Sequence, residues 1–558
     1  GVSDEEVVTA LQSAFPASRW FFSADAMKSP EQIDAILKQD ITEDEIFGYM
    51  TRQNMDCYFD GDKLPGIRSE IAAVTEGIVF VYGVGAAYVQ PSYDLLVYAD
   101  MARWEIQMRF RRNEVSNVGI SNREERASLQ YKRAFFVDWR ICDRFKKKLM
   151  KKWDYVLDTN TAGNPKMATA KAIEAGLEKA SRTPFRVVPF FDPGPWGGQW
   201  MKEVCDLDRE VPNFAWCFDC VPEENSLYLG FGDVRFELPS IDLVFAYPAR
   251  LLGNPVYGRF GDEFPIRFDF LDTMEGGNLS LQVHPLTQYI QEKFGMHYTQ
   301  DESYYMLDAA EDATVYLGVK EGIEPEEMID ALNEAQESGC FDAEKYVGRY
   351  PVKKHDHLLI PAGTIHCSGT NGMVLEISAT PYIFTFKLWD WGRLGLDGRP
   401  RPINIKHGQE VIQWNRTESW VRKENKGTPH RTQHPKPFND FFKIGYAPAE
   451  LISLQMGERK QNFFNAFVNF FLILFDFFDI SFVDVTCCVE LFGNLVFTVG
   501  YSFHFGSQLT EFRHIQIHNI PIDYHFSNIG THVVCSHLRH FLSYQLVFLI
   551  VHKKLYLL

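Results

Sequence analysis

Two short stretches constrain this chain more than any other feature: Leu279-Ser-Leu-Gln-Val-His-Pro285 and Pro361-Ala-Gly-Thr-Ile-His366, with Glu302 between them. Successive residues of a β-strand point to opposite faces, so Ser280, Gln282 and His284 share one side while Leu279, Leu281 and Val283 share the other. That alternation predicts a barrel strand with a polar interior and a packed outer face. Glu302 opens Glu-Ser-Tyr-Tyr-Met-Leu307, which has the aromatic composition of a strand. Pro361 and Gly363 predict a tight turn that delivers His366. Gln282, His284, Glu302 and His366 are thereby expected to converge from three strands.

Two neutral imidazoles, one carboxylate and one amide oxygen suit a divalent ion such as zinc and leave room for water or substrate. Taken singly, His284 and His366 read as satisfied core histidines and Glu302 as a surface acid. As a set, with Pro-x-Gly-x-x-His behind it, the four read as a metal site.

The ordered motifs resemble class I mannose-6-phosphate isomerases. They are Leu-Ser-Leu-Gln-Val-His-Pro, the Glu302 block, Pro-Ala-Gly-Thr-Ile-His, Val374-Leu-Glu-Ile377, Leu388-Trp-Asp-Trp-Gly-Arg393 and Asp397-Gly-Arg-Pro400. Pro195-Trp-Gly-Gly198 is similar to the family's opening Trp-Gly-Gly, and Phe264-Pro-Ile-Arg267 to the strand that precedes its first ligands. The resemblance covers about residues 183 to 440. It implies an all-β cupin barrel with helical insertions, one zinc ion on Gln282, His284, Glu302 and His366, and interconversion of mannose 6-phosphate with fructose 6-phosphate.

That reaction moves a proton between C1 and C2 through an enediol, so it needs a base and a partner for the developing oxyanion. Lys387 and Arg393 are the cations on offer, and Glu376 is the candidate acid or base near the metal. A phosphate needs a local basic pocket against a formal net charge of −18. Arg267, Lys387 and Arg393 are the candidate donors. Two residues depart from the family pattern. Lys387 stands where the family places an active-site arginine, which keeps the charge and loses the bidentate fork. Gln300 stands where many members carry a lysine.

With 558 residues, the chain is long enough for several domains, and 46% hydrophobic with 23% charged residues reads as globular and soluble. An acidic balance argues against broad nucleic-acid binding, and ten cysteines without a signal peptide read as reduced thiols of a cytoplasmic protein. Cys217 and Cys220 form a lone pair without a second pair at zinc-ribbon spacing. Oligomeric state is left open by the sequence.

Residues 1–182 read as a separate α/β unit with strands at Gly77–Tyr82 and Asp94–Tyr98 and a parallel sheet. Gly83-Val-Gly85 lacks a following Gly-Lys-Ser/Thr, so no P-loop is claimed. Asp94 to Arg112 and Tyr155 to Asn160 loosely resemble the later half of nucleoside and uridine kinases. This implies a degenerate P-loop-kinase-like domain, or one whose phosphate loop lies upstream of Gly1, since the chain begins Gly-Val-Ser-Asp. The basic run Arg144–Lys152 reads as a solvated helix face. Pro325–Glu337 predicts a helix, with proline at its start, acids in its first turn, Gly339 after its end and Met328, Leu332 and Ala335 as its apolar stripe.

Residues 441–558 have no assigned fold. From about residue 461 only ten charges stand among the last 98 residues, alongside half of the chain's 16 histidines. Phe463–Phe475 is too short for a transmembrane span, and Asp476 and Asp479 follow it. The segment is expected to be aberrant, as from a frame-shifted terminus; the rival is a hydrophobic tail that binds a membrane or partner.

Overall fold

The structure, a computed structural model, describes residues 4–379, 382–396, 398 and 401–424, with the backbone of three further strands. Residues 1–473 form one compact unit and residues 474–558 a second. In the second unit Val485–Leu491, Leu495–Tyr501 and Ile515–His518 make a three-stranded antiparallel sheet. The other expectations for the tail lie outside the described residues.

The centre of the first unit is a pair of facing sheets. Six strands run in the order His357–Ile360, Glu302–Ala309, Gly372–Ser378, Arg267–Asp272, Trp216–Phe218 and Phe190–Asp192. Five run in the order Val347–Pro351, Thr314–Val319, His366–Ser368, Leu281–Val283 and Phe386–Trp389. Pairing around the site is antiparallel throughout. This agrees with the barrel strand predicted from the Ser280–His284 alternation and with the all-β barrel that the family resemblance implies. The predicted helix spans Pro325–Ser338 and buries Met328, Leu332 and Ala335, with Gly339 in the left-handed conformation at its C-terminal end.

The N-terminal residues differ from the expected parallel sheet. Val79–Tyr82 pairs in parallel with Arg19–Phe22, and Val97–Asp100 with Tyr155–Asp158, but the two pairs lie in separate sheets. Each strand is only four residues long, and of the four only Tyr155–Asp158 buries an apolar side chain, Val156. Val156 packs with Ile173, Leu177, Leu227 and Phe236, the last two from the hairpin Ser226–Phe231 and Val234–Pro239. Gly85 precedes a helix of only four residues, Ala86–Val89, where a phosphate loop would need a full one. The kinase-like layout gains no support from this arrangement.

One hydrophobic core runs through both parts of the first unit. Ile33, Phe47, Tyr58, Phe135 and Phe136 from the N-terminal residues share it with Leu281, Val283, Phe294, Phe384 and Phe386. Phe47 makes an edge contact with Phe386, and Phe136 with Phe384. The basic run also departs from a solvated face. Lys146, on the helix Trp139–Leu149, is buried and sits between Asp100 and Asp242, 2.6 Å and 2.5 Å from their carboxylates.

Candidate metal centre

Strand register brings the four sequence-predicted ligands together. Gln282 faces His366 directly across the pair Leu281–Val283 and His366–Ser368, and residues directly opposite point to the same side. His284 lies one residue beyond its strand, and Glu302 opens the facing sheet. The turn behind His366 is tied to His284, because the Gly363 amide donates to the His284 carbonyl at 2.9 Å. Gly363 has a φ of +86°, and a Cβ there would meet the Val411 carbonyl at 2.8 Å, which leaves glycine as the residue that fits.

His284 Nε2 lies 2.9 Å and His366 Nε2 lies 2.6 Å from the two Glu302 oxygens. The other ring nitrogens point away: His284 Nδ1 to the Phe384 carbonyl at 3.3 Å, His366 Nδ1 to the Thr364 carbonyl at 2.9 Å. Those carbonyls select the tautomer that leaves both Nε2 atoms as lone-pair donors toward Glu302. Gln282 stands 3.2 Å from His366 Nε2 through its amide; exchanging the amide oxygen and nitrogen turns an oxygen to the same point. All four residues are buried, and His284 Nε2 and Glu302 Oε1 have no hydrogen-bond partner among the described residues. Orphaned atoms at the meeting point of two imidazoles and a carboxylate fit a divalent cation.

Around this centre lie groups on the same inward face. Arg267 pairs with Ser378, and Ser378 with Glu302; Asp269 pairs with Glu376, and Glu376 with Tyr304. Burial, then the charges of Asp269 and Glu302, push the Glu376 carboxyl well above the usual range. Burial alone would raise Glu302 too, but the two imidazoles hold it well below. Gln300 donates from one nitrogen to Glu302 at 2.9 Å and to Glu376 at 3.3 Å. It therefore bridges a proposed ligand and the candidate acid.

Lys387 pairs across from Gln282, on the side that carries the ligands, and forms no ion pair among the described residues. Burial, then the Arg401 charge, lowers its pKa to about 7. Arg393 is engaged with Asp390 at 2.8 Å, and Arg401 joins the same carboxylate at 3.1 Å. Arg267 is buried, with its guanidinium donating to the Glu223 carboxylate and to the Ala379 carbonyl.

Sequence reasoning missed two participants, Asp269 and Phe384, and named Gln300 without its bridging role. Asp269 stands two residues after Arg267 and falls inward by the same alternation that found Gln282. The Gln300 bridge depends on side-chain conformation and leaves no pattern in sequence. Phe384 acts through its backbone carbonyl, which any residue would supply.

A family model described as a domain of unknown function, DUF8485, matches residues 1–182. Elsewhere the chain is homologous to mannose-6-phosphate isomerases over about 40% of its length. It is 26% identical over 234 residues to mannose-6-phosphate isomerase ManA of Bacillus subtilis, covering 40% of this chain and 66% of that one. With mannose-6-phosphate isomerase of Streptococcus mutans it shares 26% identity over 237 residues, 40% of this chain and 68% of that one. Among solved structures, the mannose 6-phosphate isomerase from Bacillus subtilis aligns with a TM-score of 0.36 and 22% identity, over 41% of this chain and 69% of that one.

Proposed function

We propose that this chain is a metal-dependent aldose–ketose isomerase that interconverts mannose 6-phosphate and fructose 6-phosphate. The observation that carries the reading is the buried meeting of Gln282, His284, Glu302 and His366, with two ligand atoms left unpartnered. Distant homology to mannose-6-phosphate isomerases supports the same class. Zinc suits the donor set and, when bound, would polarise the substrate oxygens at C1 and C2.

The chain's own residues supply the rest of the chemistry. Glu376, beside Glu302 and steadied by Gln300, is assigned the proton moved between C1 and C2. Lys387 stabilises negative charge that develops on the substrate oxygen as the enediol forms. Arg393 holds the Asp390 carboxylate and serves as a second cation near that end of the barrel. Replacing Lys387 with methionine is expected to lower kcat/KM by about 100-fold with metal content unchanged, while Lys387→Arg retains most activity; stopped-time assays with parallel metal analysis check this.

A sugar-phosphate-binding regulator without turnover is the second reading. It is favoured by Gln300, which brings a neutral amide to Glu302 in place of a cation. Turnover of mannose 6-phosphate by the full chain, stripped of metal and then restored with zinc, separates the two. Zinc-dependent turnover supports the isomerase; a folded, zinc-loaded and inactive chain supports the regulator.

A further inference from the structure

A group of buried polar atoms without partners lies beside the metal centre, and two of its arginines come from the N-terminal residues. Arg103 Nη1, Arg140 Nη2 and Glu223 Oε2 are all shut off from solvent and make no hydrogen bond among the described residues, while Arg267 and the Tyr298 hydroxyl interact with each other. Arg103 and Arg267 are 4% and 2% exposed, too buried for water to satisfy them freely.

Two chains of contacts fix where this group lies. The first runs from a metal ligand: His284 Nδ1 meets the Phe384 carbonyl, Phe384 packs on Phe135 with ring centroids 6.4 Å apart, and Arg140 Nε donates to the Phe135 carbonyl at 3.0 Å. The Arg140 guanidinium also stacks over the Phe135 ring at 4.9 Å. The second runs across the sheet from Glu302 to Ser378 to Arg267, which puts Arg267 on the ligand-bearing face about 10 Å, two strand spacings, from Glu302. That separation suits an open-chain hexose with its reacting carbons at one end and its phosphate at the other. Glu223 links the two routes, since it pairs with Arg267 and its charge acts on both Arg103 and Arg140.

The direct ion pairs in this group leave one arginine over. Arg103 is answered by Asp143, and Arg267 by Glu223. Glu224 accepts from Gln107 and from the Tyr131 hydroxyl. Arg140 alone has no carboxylate within ion-pair distance among the described residues. Burial, then the like charge of Arg103, lowers its pKa. Asp143, Glu223 and Glu263 oppose that shift only through space, and the buried Arg140 Nη2, which makes no hydrogen bond among the described residues, is costly unless something outside the chain completes it. A five-residue π-helical turn, Ala134–Asp138, sets Phe135 and Arg140 in this position, an irregularity that recurs at functional sites.

We propose that Arg103 and Arg140, carried by the N-terminal residues, complete with Arg267 an anion pocket beside the metal centre, and that this pocket takes the substrate phosphate. The proposal rests on the isomerase reading for the identity of the anion. It gives residues 1–182 a part in substrate recognition within the same site as the barrel.

The test compares the zinc-loaded full chain with Arg140→Gln, titrating mannose 6-phosphate, inorganic phosphate and unphosphorylated mannose by calorimetry, with thermal unfolding alongside. Arg140→Gln is expected to weaken binding of mannose 6-phosphate and phosphate by about 10- to 100-fold, the size of a lost charge-assisted hydrogen bond. Mannose affinity stays unchanged, and the unfolding midpoint without anion is no lower than in the parent chain. Unchanged phosphate affinity with a lowered midpoint would make Arg140 a structural donor and overturn the pocket. If Arg140→Gln does not fold, Arg140→Lys, which keeps the charge and loses the fork, carries the same comparison, with a smaller loss expected and no loss overturning the pocket. Turnover that ignores either substitution sinks the pocket and leaves the isomerase standing. Arginine-dependent phosphate binding by a chain with no turnover keeps the pocket and removes the isomerase.

Discussion

Alanine in place of His366 is expected to abolish sugar-phosphate isomerisation and to lower zinc affinity by more than about 100-fold. Groups that merely orient a metal ligand contribute about 10- to 100-fold in affinity. His366 contributes more than orientation, because its Nε2 is one of the atoms converging on Glu302 and faces Gln282 across the strand pair. Its removal leaves Glu302 buried with one imidazole where it had two, so the carboxylate loses one of the two partners that hold its pKa down. Chelator competition gives the affinity, and a coupled assay for fructose 6-phosphate gives the turnover. A variant that keeps zinc and activity would remove this residue from the centre.

Lys146→Met is expected to destabilise the first unit by about 3–5 kcal/mol at neutral pH, the usual cost of deleting one member of a buried ion group. Lys146 is the cation between Asp100 and Asp242, all three buried. Burial, then the charge of Asp100, already pushes Asp242 well above the usual range, and Lys146 opposes that rise. Without the ammonium the native state binds protons more tightly than the unfolded state does. Stability of the variant therefore falls as pH rises, and its deficit narrows as pH drops toward 5. Urea unfolding of both proteins at pH 5 and pH 8 measures the difference; a deficit independent of pH would mean that lost packing, not charge, carries the effect.

Lys146 also shows why parts of the fold were illegible in the sequence. Arg144–Lys152 is a basic run on a helix, and local composition says that such a run faces water. What buries Lys146 is a pair of aspartates from residues 46 positions before it and 96 after it, a coincidence that exists only when three elements pack. The expected strand Gly77–Tyr82 contains the observed Val79–Tyr82, whereas the expected Asp94–Tyr98 overlaps the observed Val97–Asp100 only at Val97 and Tyr98. Their partners were not legible, since four-residue strands carry too little pattern to specify register.

The candidate ligand set was legible because it rests on short-range rules. Alternation along Ser280–His284 fixes which side chains share a face, and Pro361 with Gly363 fixes a turn, so Gln282, His284 and His366 could be named before any contact was known. Glu302 followed from its place at the head of an aromatic strand. Lys387 and Glu376 were named as chemistry-bearing residues, and their placement across from Gln282 and beside Gln300 came only with the sheets.

Sequence by itself determined the strands that carry Gln282 and Glu302, the helix Pro325–Ser338 and the residues that meet at the candidate metal centre, because period, turn and cap are local properties of the backbone. Tertiary structure alone decided that Phe135 and Phe136 press on Phe384 behind His284 and that Arg103, Arg140 and Arg267 share one neighbourhood with Glu223. Side chains far apart in the chain acquire a common environment only when the core closes, and burial then converts ordinary surface residue types into desolvated charges whose partners define the site.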